Sequence, residues 1–292
     1  MAELKRSDFD EEIRFGAKTY DVKLVIQILK AVKIKDNATF YCTNEGIKVT
    51  VEDMKCLQAN AYLEVSLFEK YNVTKKPDED FVKFTVNLSV VLDCLSILHN
   101  SGVGGATALV ITYKGEGYPI ILLMEHGGVI TDCKIKTLMC KQILNFNFET
   151  SVLVNKVVLF SDSFKEVLND LDTNSDILKI SMSTDPLKLK LTTDGNGLIS
   201  ETDVPFDCQM VDAFQCSSSC QYSYKLTHLK PALKHLPGSQ KVSVQINELG
   251  VLCLQYMIVN ENGRNCFVEY FCLPLFKPSQ NGLTFAEEEG SL

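Results

Sequence analysis

Short stretches with apolar residues at helical spacing recur four times along this chain, about seventy residues apart. In the first of them, Leu24, Ile28 and Val32 share one face of the expected helix. The segments between these stretches mostly alternate apolar and polar residues, as in residues 47–51 (IKVTV), which is typical of strands with one buried face. The pattern therefore predicts one strand–helix–three-strand unit used four times. The four helices are predicted to begin near Asp21, Leu88, Asp162 and Thr227.

The predicted fold class is α+β, with four βαβββ units paired into two similar domains and about sixteen strands in all. The alternation breaks at residues 137–147 (TLMCKQILNFN), which we interpret as a connector between the domains. Residues 205–219 look like a less regular loop within the second domain. Polar ends predict a disordered arm and a disordered tail. The predicted limits are 1–12 for the arm, 13–136 and 148–276 for the domains, and 277–292 for the tail.

Composition narrows the class of protein. Hydrophobic residues make up 46% and charged residues 23%, which is a normal balance for a soluble globular protein. No apolar run approaches the 18 or so residues that a membrane helix needs, so we expect no membrane partner. The polar, acidic start and the 11 cysteines together predict reduced intracellular thiols rather than a disulfide framework. The net charge of −8 excludes a protein that is basic all over, but it leaves room for a local basic stripe.

Four stretches of the chain carry a family resemblance. They are CTNEGIKVTVEDMKCLQANAYL (42–63), VVLDCLSIL (90–98), YPIILLMEHGGVITDCKI (118–135) and VSVQINELGVLCLQYMIVNENGRNCFVEYFCLP (242–274). Together with the fourfold βαβββ order, they resemble the PCNA-like sliding clamps, and in particular the Rad-one family of subunits of the heterotrimeric DNA-damage checkpoint clamp. The similarity covers nearly the whole chain except the two ends.

The resemblance implies a fold in which four helices line a central hole and the sheets form the outside. It also implies a ring made with two other checkpoint-clamp subunits around double-stranded DNA, bound without regard to sequence. An ATP-dependent clamp loader would open and close the ring, and repair enzymes and checkpoint kinase activators would dock on it in the nucleus. No catalytic residue, cofactor or metal is expected. The protein would then support checkpoint signalling and repair as a binding platform rather than as an enzyme.

The resemblance also implies two further sets of site residues. Edge strands at about 128–136 and 197–205 would pair with neighbouring subunits, which hides backbone groups that a free edge exposes. The groove beside the connector would receive short partner peptides. The interface residues would be Val129, Thr131, Cys133, Ile135, Leu198, Ser200 and Thr202, and the docking residues on the connector Leu138, Met139, Ile143 and Leu144.

Lysines on the helices are the candidate contacts to DNA, because phosphate contacts give attraction that does not depend on base sequence. The polar face of the second helix is Ser89, Asp93 and Ser96, so it carries no cation. One hypothesis is that partner subunits supply most of the attraction, and the plain alternative is that these lysines are simply solvated. The predicted DNA-facing residues are Lys23, Lys30, Lys33, Lys165, Lys230 and Lys234.

Two other functions stay open at this point. A weak 3′-to-5′ DNA exonuclease would need carboxylates that converge on metal ions, and no pair of acidic residues has a telling spacing. A homotrimeric replication clamp would need four basic helices, which the second helix contradicts. Cys216, Cys220, His228 and His235 invite a zinc interpretation, but their spacing does not fit the usual zinc-finger spacing.

Overall fold

The computed structural model describes residues 12–99, 107–146, 148, 152–169, 171, 175–195, 197–233, 237–259, 263 and 265–275. The four helices are α1 Val22–Ala31, α2 Leu88–His99, α3 Ser161–Asn169 and α4 Leu226–Leu229. The strands are β1 Phe15–Thr19, β2 Asn37–Thr43, β3 Gly46–Asp53, β4 Leu57–Glu64, β5 Lys70–Val73, β6 Val82–Asn87, β7 Ala108–Tyr113, β8 Ile120–His126, β9 Val129–Ile135, β10 Leu153–Phe160, β11 Ile177–Thr184, β12 Leu187–Gly195, β13 Leu198–Pro205, β14 Val211–Cys216, β15 Cys220–Lys225, β16 Ser239–Asn247, β17 Leu252–Val259 and β18 Asn265–Cys272.

The strands form three sheets: one lies within each half of the chain, and the third contains strands of both halves. A five-stranded sheet runs β5-β1-β7-β8-β9, and a four-stranded sheet runs β13-β12-β11-β15. A nine-stranded sheet, β14-β10-β16-β17-β18-β4-β3-β2-β6, crosses from one half to the other. The crossing is the antiparallel pair β18–β4, which extends from Phe267 opposite Tyr62 to Cys272 opposite Leu57. The two halves are therefore joined by a continuous hydrogen-bonded ladder.

The hydrophobic core lies between the helices and the sheets. Residues such as Val49, Ala59, Leu254 and Val244 point to one face of the nine-stranded sheet and are buried. The opposite face alternates with it and carries partly exposed side chains, as Lys48 does. Because side chains alternate across a strand, this division explains the period of two in the sequence. Among the described residues, no helix is long and apolar enough to cross a membrane.

Helix α1 is capped at its first turn and held to the sheet at its last. The Asp21 carboxylate accepts a hydrogen bond from the backbone N–H of Leu24 (3.1 Å), which caps the first turn. At the other end, the hydroxyl of Tyr270 on β18 donates to the carbonyl of Ala31 (2.6 Å). Burial raises the pKa of Tyr270, so the phenol keeps the proton that it donates. The sheet of one half thus satisfies the helix end of the other.

Replacing Tyr270 with phenylalanine is expected to lower the free energy of unfolding by about 1–2 kcal/mol, because the carbonyl of Ala31 loses its donor in a buried setting. Urea unfolding followed by circular dichroism measures this change. The matched control is Tyr118→Phe, whose ring is exposed. Equal unfolding midpoints for the two variants would contradict the assigned role of the hydroxyl.

Two strands depart from the predicted order. The structure has a strand β5 between the first two units, and residues 205–219, which we expected to be a loop, contain strand β14. β5 pairs with β1 and β14 pairs with β10, so each half has the same additional strand against its first strand. The count in the described residues is eighteen strands rather than about sixteen. The fourfold βαβββ order itself is confirmed.

The fourth helix begins at Leu226, close to the predicted start near Thr227, and it is short, so that it lies before Pro231. Its described part ends at Leu229, and the following turns are closed by backbone bonds from Ala232 (2.8 Å) and Leu233 (2.9 Å) to the Leu229 carbonyl. Since proline cannot donate a backbone hydrogen bond, it fits here after the helix rather than within it. Lys234, most of the predicted arm (1–11), the tail (277–292) and residue 147 of the connector lie outside the described residues.

Candidate DNA-facing and subunit-contact surfaces

The exposed side of α1 carries the predicted lysines. Lys23 and Lys30 are exposed on the side of the helix opposite the buried Leu24 and Ile28. Lys33 follows the helix and is also exposed. The apolar residues bind the helix to the sheet, so the lysines are left on its outer surface. The arrangement gives α1 two cations on one accessible side, with a third exposed cation directly after the helix.

The second half has fewer cations on its helices. Lys165 on α3 is exposed, but so are Asp162 and Glu166 on the same helix. Lys230 is exposed directly after α4. A phosphate near α3 would therefore meet charges of both signs. Among the described residues, most of the exposed lysines predicted to face DNA therefore lie on α1 or directly after it.

Helix α2 packs against α1 and presents a different surface. Its exposed stripe is Val90, Asp93 and Ile97, which are spaced for one face of a helix. The predicted polar face included two serines, but both hydroxyls are engaged: Ser89 donates to the Asp36 carboxylate (2.9 Å) and Ser96 to the Leu92 carbonyl (2.8 Å). The exposure of these two apolar residues was not predicted from the sequence. Asp93 is exposed, and the hypothesis that partner subunits supply most of the attraction to DNA stays a prediction.

The two predicted contact strands are both sheet edges. β9 ends the five-stranded sheet and β13 ends the four-stranded sheet, so each has a ladder partner on only one side. Both begin with a pair of exposed apolar residues. Val129 and Ile130 are 58% and 55% exposed, and Leu198 and Ile199 are 57% and 63% exposed. The shared pattern marks both edges as surfaces suited to pairing with another chain.

The predicted contact residues differ in how much of each side chain is exposed at these two edges. Thr131, Cys133, Ser200 and Thr202 are half-buried, so they offer part of a side chain and the backbone edge. Ile135 is buried in the core and offers backbone groups alone. Ile130 and Ile199 were missed because the strand period assigned them to the other face. The sequence signal that could have identified these two residues is a pair of apolar residues directly after a turn.

The connector lies along the nine-stranded sheet. Leu138 bridges to β6, where its N–H donates to the Thr85 carbonyl (2.7 Å). Further along, the side-chain amide of Gln58 donates to the Leu144 carbonyl (2.8 Å). Met139 is 90% exposed, whereas Phe146 is buried against Phe271, with ring centroids 5.9 Å apart. Leu138 and Leu144 are exposed and Ile143 is half-buried, so the described connector is held by backbone bonds while most of its predicted docking side chains stay accessible.

Cysteine and histidine side chains meet at a place that the spacing did not indicate. The Cys56 Sγ lies 3.4 Å from Nδ1 of His228, while Cys216 and Cys220 flank a turn held by Asn155. Burial, followed by the nearby Asp53, raises the pKa of the Cys56 thiol, which disfavours the reactive thiolate. In the part of the chain that the structure describes, no three His, Cys, Asp or Glu side chains converge to hold a metal ion.

Comparisons with known proteins agree with this geometry. A model of the family described as "Repair protein Rad1/Rec1/Rad17" matches residues 14–258. The human "Cell cycle checkpoint protein RAD1" is 42% identical over 268 residues, which cover 91% of this chain and 94% of that protein. The Schizosaccharomyces pombe "DNA damage checkpoint control protein rad1" is 28% identical over 89% of this chain and 86% of its own length.

A solved structure of Proliferating Cellular Nuclear Antigen from Entamoeba histolytica superimposes with a TM-score of 0.71 at 16% identity, covering 90% of this chain and all of that one. At this identity the likeness shows the fold alone, which is the PCNA-like clamp fold. The family match covers most of the chain, and it includes both edge strands and α1. The chain therefore belongs to the Rad1/Rec1/Rad17 family of repair proteins.

Proposed function

We propose that this protein is one subunit of a heterotrimeric checkpoint clamp that encircles double-stranded DNA. The observation that carries the proposal is the pair of edge strands that begin with two exposed apolar residues, β9 in the first half and β13 in the second. A subunit with one such edge in each half can be a member of a closed ring. The checkpoint names of its relatives favour a ring of different subunits over a replication clamp.

In the proposed ring, edge strands of neighbouring subunits continue the ladders of β9 and β13. Pairing satisfies the backbone N–H and C=O groups of an edge, and it covers the exposed pairs Val129–Ile130 and Leu198–Ile199. The residues of the contact would be Val129, Thr131, Cys133, Ile135, Leu198, Ser200 and Thr202. Different partners on the two edges would be told apart by the side chains around each ladder.

Attraction to DNA in this proposal is electrostatic and independent of sequence. Lys23, Lys30 and Lys33 would contact phosphates from the hole-facing side of α1, with smaller contributions from Lys165, Lys230 and Lys234. The surface of α2 offers no cation, so the other two subunits would supply much of the positive lining. A weak, mobile contact of this kind suits a ring that slides.

The remaining proposed roles are those of a ring that has no catalytic activity of its own. An ATP-dependent clamp loader would open and close the ring on DNA in the nucleus. Repair enzymes and checkpoint kinase activators would dock beside the connector at Leu138, Met139, Ile143 and Leu144. The protein would act by topology, without a catalytic residue or cofactor.

A topological test separates this function from simple DNA binding. The complex of this chain with its two partners, loaded by the clamp loader and ATP onto nicked circular DNA, is expected to stay bound in high salt. Cutting the circle should release it, because a ring slides off a free end. Retention that is the same on linear and circular DNA would contradict encirclement.

The two rival functions predict other results. A 3′-to-5′ exonuclease would shorten a labelled DNA strand in the presence of Mg²⁺, and one carboxylate substitution would abolish the activity. A replication clamp would assemble into a homotrimer without other subunits. Neither activity is favoured by the family to which the chain belongs.

A further inference from the structure

A groove opens where one end of the five-stranded sheet meets the free side of β6. We call it the β6 groove; its volume is about 750 Å³, within the range of ligand-binding clefts. Phe84 and Tyr113 are buried and form its floor. One wall is formed within the segment 74–81, by residues 76 and 78–81, and the others by residues 116–117 after β7 and by residues 137–140 at the start of the connector. The lining of the groove does not include the exposed apolar pairs of β9 and β13. The pair on β9 lies at the end of that strand that is farther from the connector in the sequence.

Each wall of the groove is fastened to the body of the protein. On one side, Glu79 forms ion pairs with Arg14 and, at 3.8 Å, with Lys76. On the other side, Leu138 is bound to β6, and the Thr137 hydroxyl donates to the Tyr118 carbonyl (3.0 Å). A groove with anchored walls needs little reordering to accept a ligand, which favours binding.

One side of β6 faces the groove, and the connector occupies part of it. β6 pairs with β2 along the other side, while on the groove side the N–H of Leu138 donates to the Thr85 carbonyl and the Thr85 hydroxyl contacts the Cys140 sulfur (3.4 Å). Backbone groups of residues two apart point to the same side of a strand, so those of Lys83 also face the groove. This short edge can accept an extended peptide as an added strand.

The chemistry of the rim indicates what kind of peptide would fit. Glu79 is neutralised by its two ion pairs, whereas Asp78, Asp80 and Glu116 are exposed and form no ion pair with another described residue. Against these three acids the rim has a single unpaired cation in its described lining, Lys83. Exposed apolar side chains lie on both sides of the opening: Phe81 on one, and Leu138 and Met139 on the other.

We propose that the β6 groove binds an extended segment of a partner protein that combines lysine or arginine with a central apolar side chain. The basic side chains pair with Asp78, Asp80 and Glu116, and the apolar one lies between Phe81 and Met139. The backbone of the segment bonds to Lys83 on β6. The inference rests on the docking role proposed for the connector, and it gives that role a chemical class of partner and a second wall made by residues 74–81.

The probe is a short fluorescein-labelled peptide of alternating lysine and valine, titrated with the full chain and followed by fluorescence polarisation. We expect it to bind, and a peptide of alternating glutamate and valine not to bind. The triple variant D78N/D80N/E116Q should weaken binding by about tenfold or more, since three surface ion pairs are lost. Met139→Asp should weaken it as well, because the apolar contact is replaced by a charge on a side chain that is already exposed.

A control variant separates the groove from the general negative charge of the protein. E45Q/E64Q/E248Q removes three exposed carboxylates elsewhere and should leave affinity unchanged. Equal losses in the two triple variants would overturn the proposal, because binding would then follow net charge alone. Binding seen only after removal of residues 1–11 would also overturn it, in favour of the chain's own segment as occupant.

Failure of the groove proposal can be distinguished from failure of the clamp proposal. The groove variants leave β9 and β13 unchanged, so the complex with the two partners is expected to keep its mass. If that complex forms and the lysine–valine peptide does not bind, the groove assignment is wrong and the clamp proposal stands. If the unsubstituted chain forms no complex, the clamp proposal fails, and the peptide titration still decides the groove.

Discussion

Replacing Val129 and Ile130 with glutamate is expected to remove one of this chain's two clamp partners and to leave the other bound. Both side chains are more than half exposed on an edge strand, so the variant should fold normally. In the proposed ring the same side chains are covered by the neighbouring subunit. Because only a little over half of each side chain is left to be covered, losing that burial costs about 0.8–1.7 kcal/mol for each residue. The contact should therefore weaken on the order of 10–10²-fold, before the cost of burying charge is added.

The reciprocal variant, L198E/I199E on β13, is expected to remove the other partner. Co-purification of each variant with both partners, followed by a mass measurement, gives the result directly. The two variants should leave two different one-to-one complexes. The pair of experiments would thereby assign one partner to each edge.

A control variant and a contradicting result complete this test. Leu249→Glu places the same charge on an exposed apolar residue at the turn between β16 and β17, and it should leave the three-subunit complex intact. If both edge variants still formed the complete complex, β9 and β13 would not be the contact strands. The role of the unpaired edges would then have to be abandoned.

The second large effect is expected at α1. Reversing Lys23, Lys30 and Lys33 to glutamate should lower the affinity of the assembled complex for duplex DNA by about tenfold or more at moderate salt. Each lost phosphate contact should also reduce the slope of log K against log salt by about 0.9. The effect should be the same for any DNA sequence, because phosphate contacts carry no base information. Titration of labelled duplexes at several salt concentrations measures both quantities.

A matched charge reversal makes this prediction specific to the helix. K55E/K75E/K141E changes three exposed lysines in loops and should leave both the affinity and the salt slope nearly unchanged. Equal losses in the two triple variants would mean that DNA responds to net charge only. An unchanged affinity after reversal on α1 would assign the attraction to the partner subunits alone.

Helix α1 could be predicted from sequence because its signals are local. Asp21 caps its first turn, and the apolar face is complete within the helix itself. Strands β5 and β14 could not, since both are short edges whose existence depends on pairing with β1 and β10, far away along the chain. The start of the fourth helix near Thr227 could also be predicted, but a proline such as Pro231 does not by itself tell whether a helix begins or ends there.

The candidate surfaces also divide into features that could be predicted from the sequence and features that could not. The exposure of Lys23 and Lys30 follows from the helical period, whereas the exposure of Val90 and Ile97 does not. Those two residues look like core residues in the sequence, and only the packing of α2 beside α1 reveals that they are not covered. The β6 groove is likewise built from residues that are far apart in sequence. Sites made by tertiary contact leave little periodic signal.

The most direct test of the account is the mass of this chain in solution, alone and co-expressed with the two other checkpoint-clamp subunits. The account predicts a monomer alone and a 1:1:1 complex when all three are present. A stable homotrimer of this chain alone would contradict it and would favour a replication-type clamp. A monomer that ignores both partners would contradict it as well, and it would return attention to a nuclease.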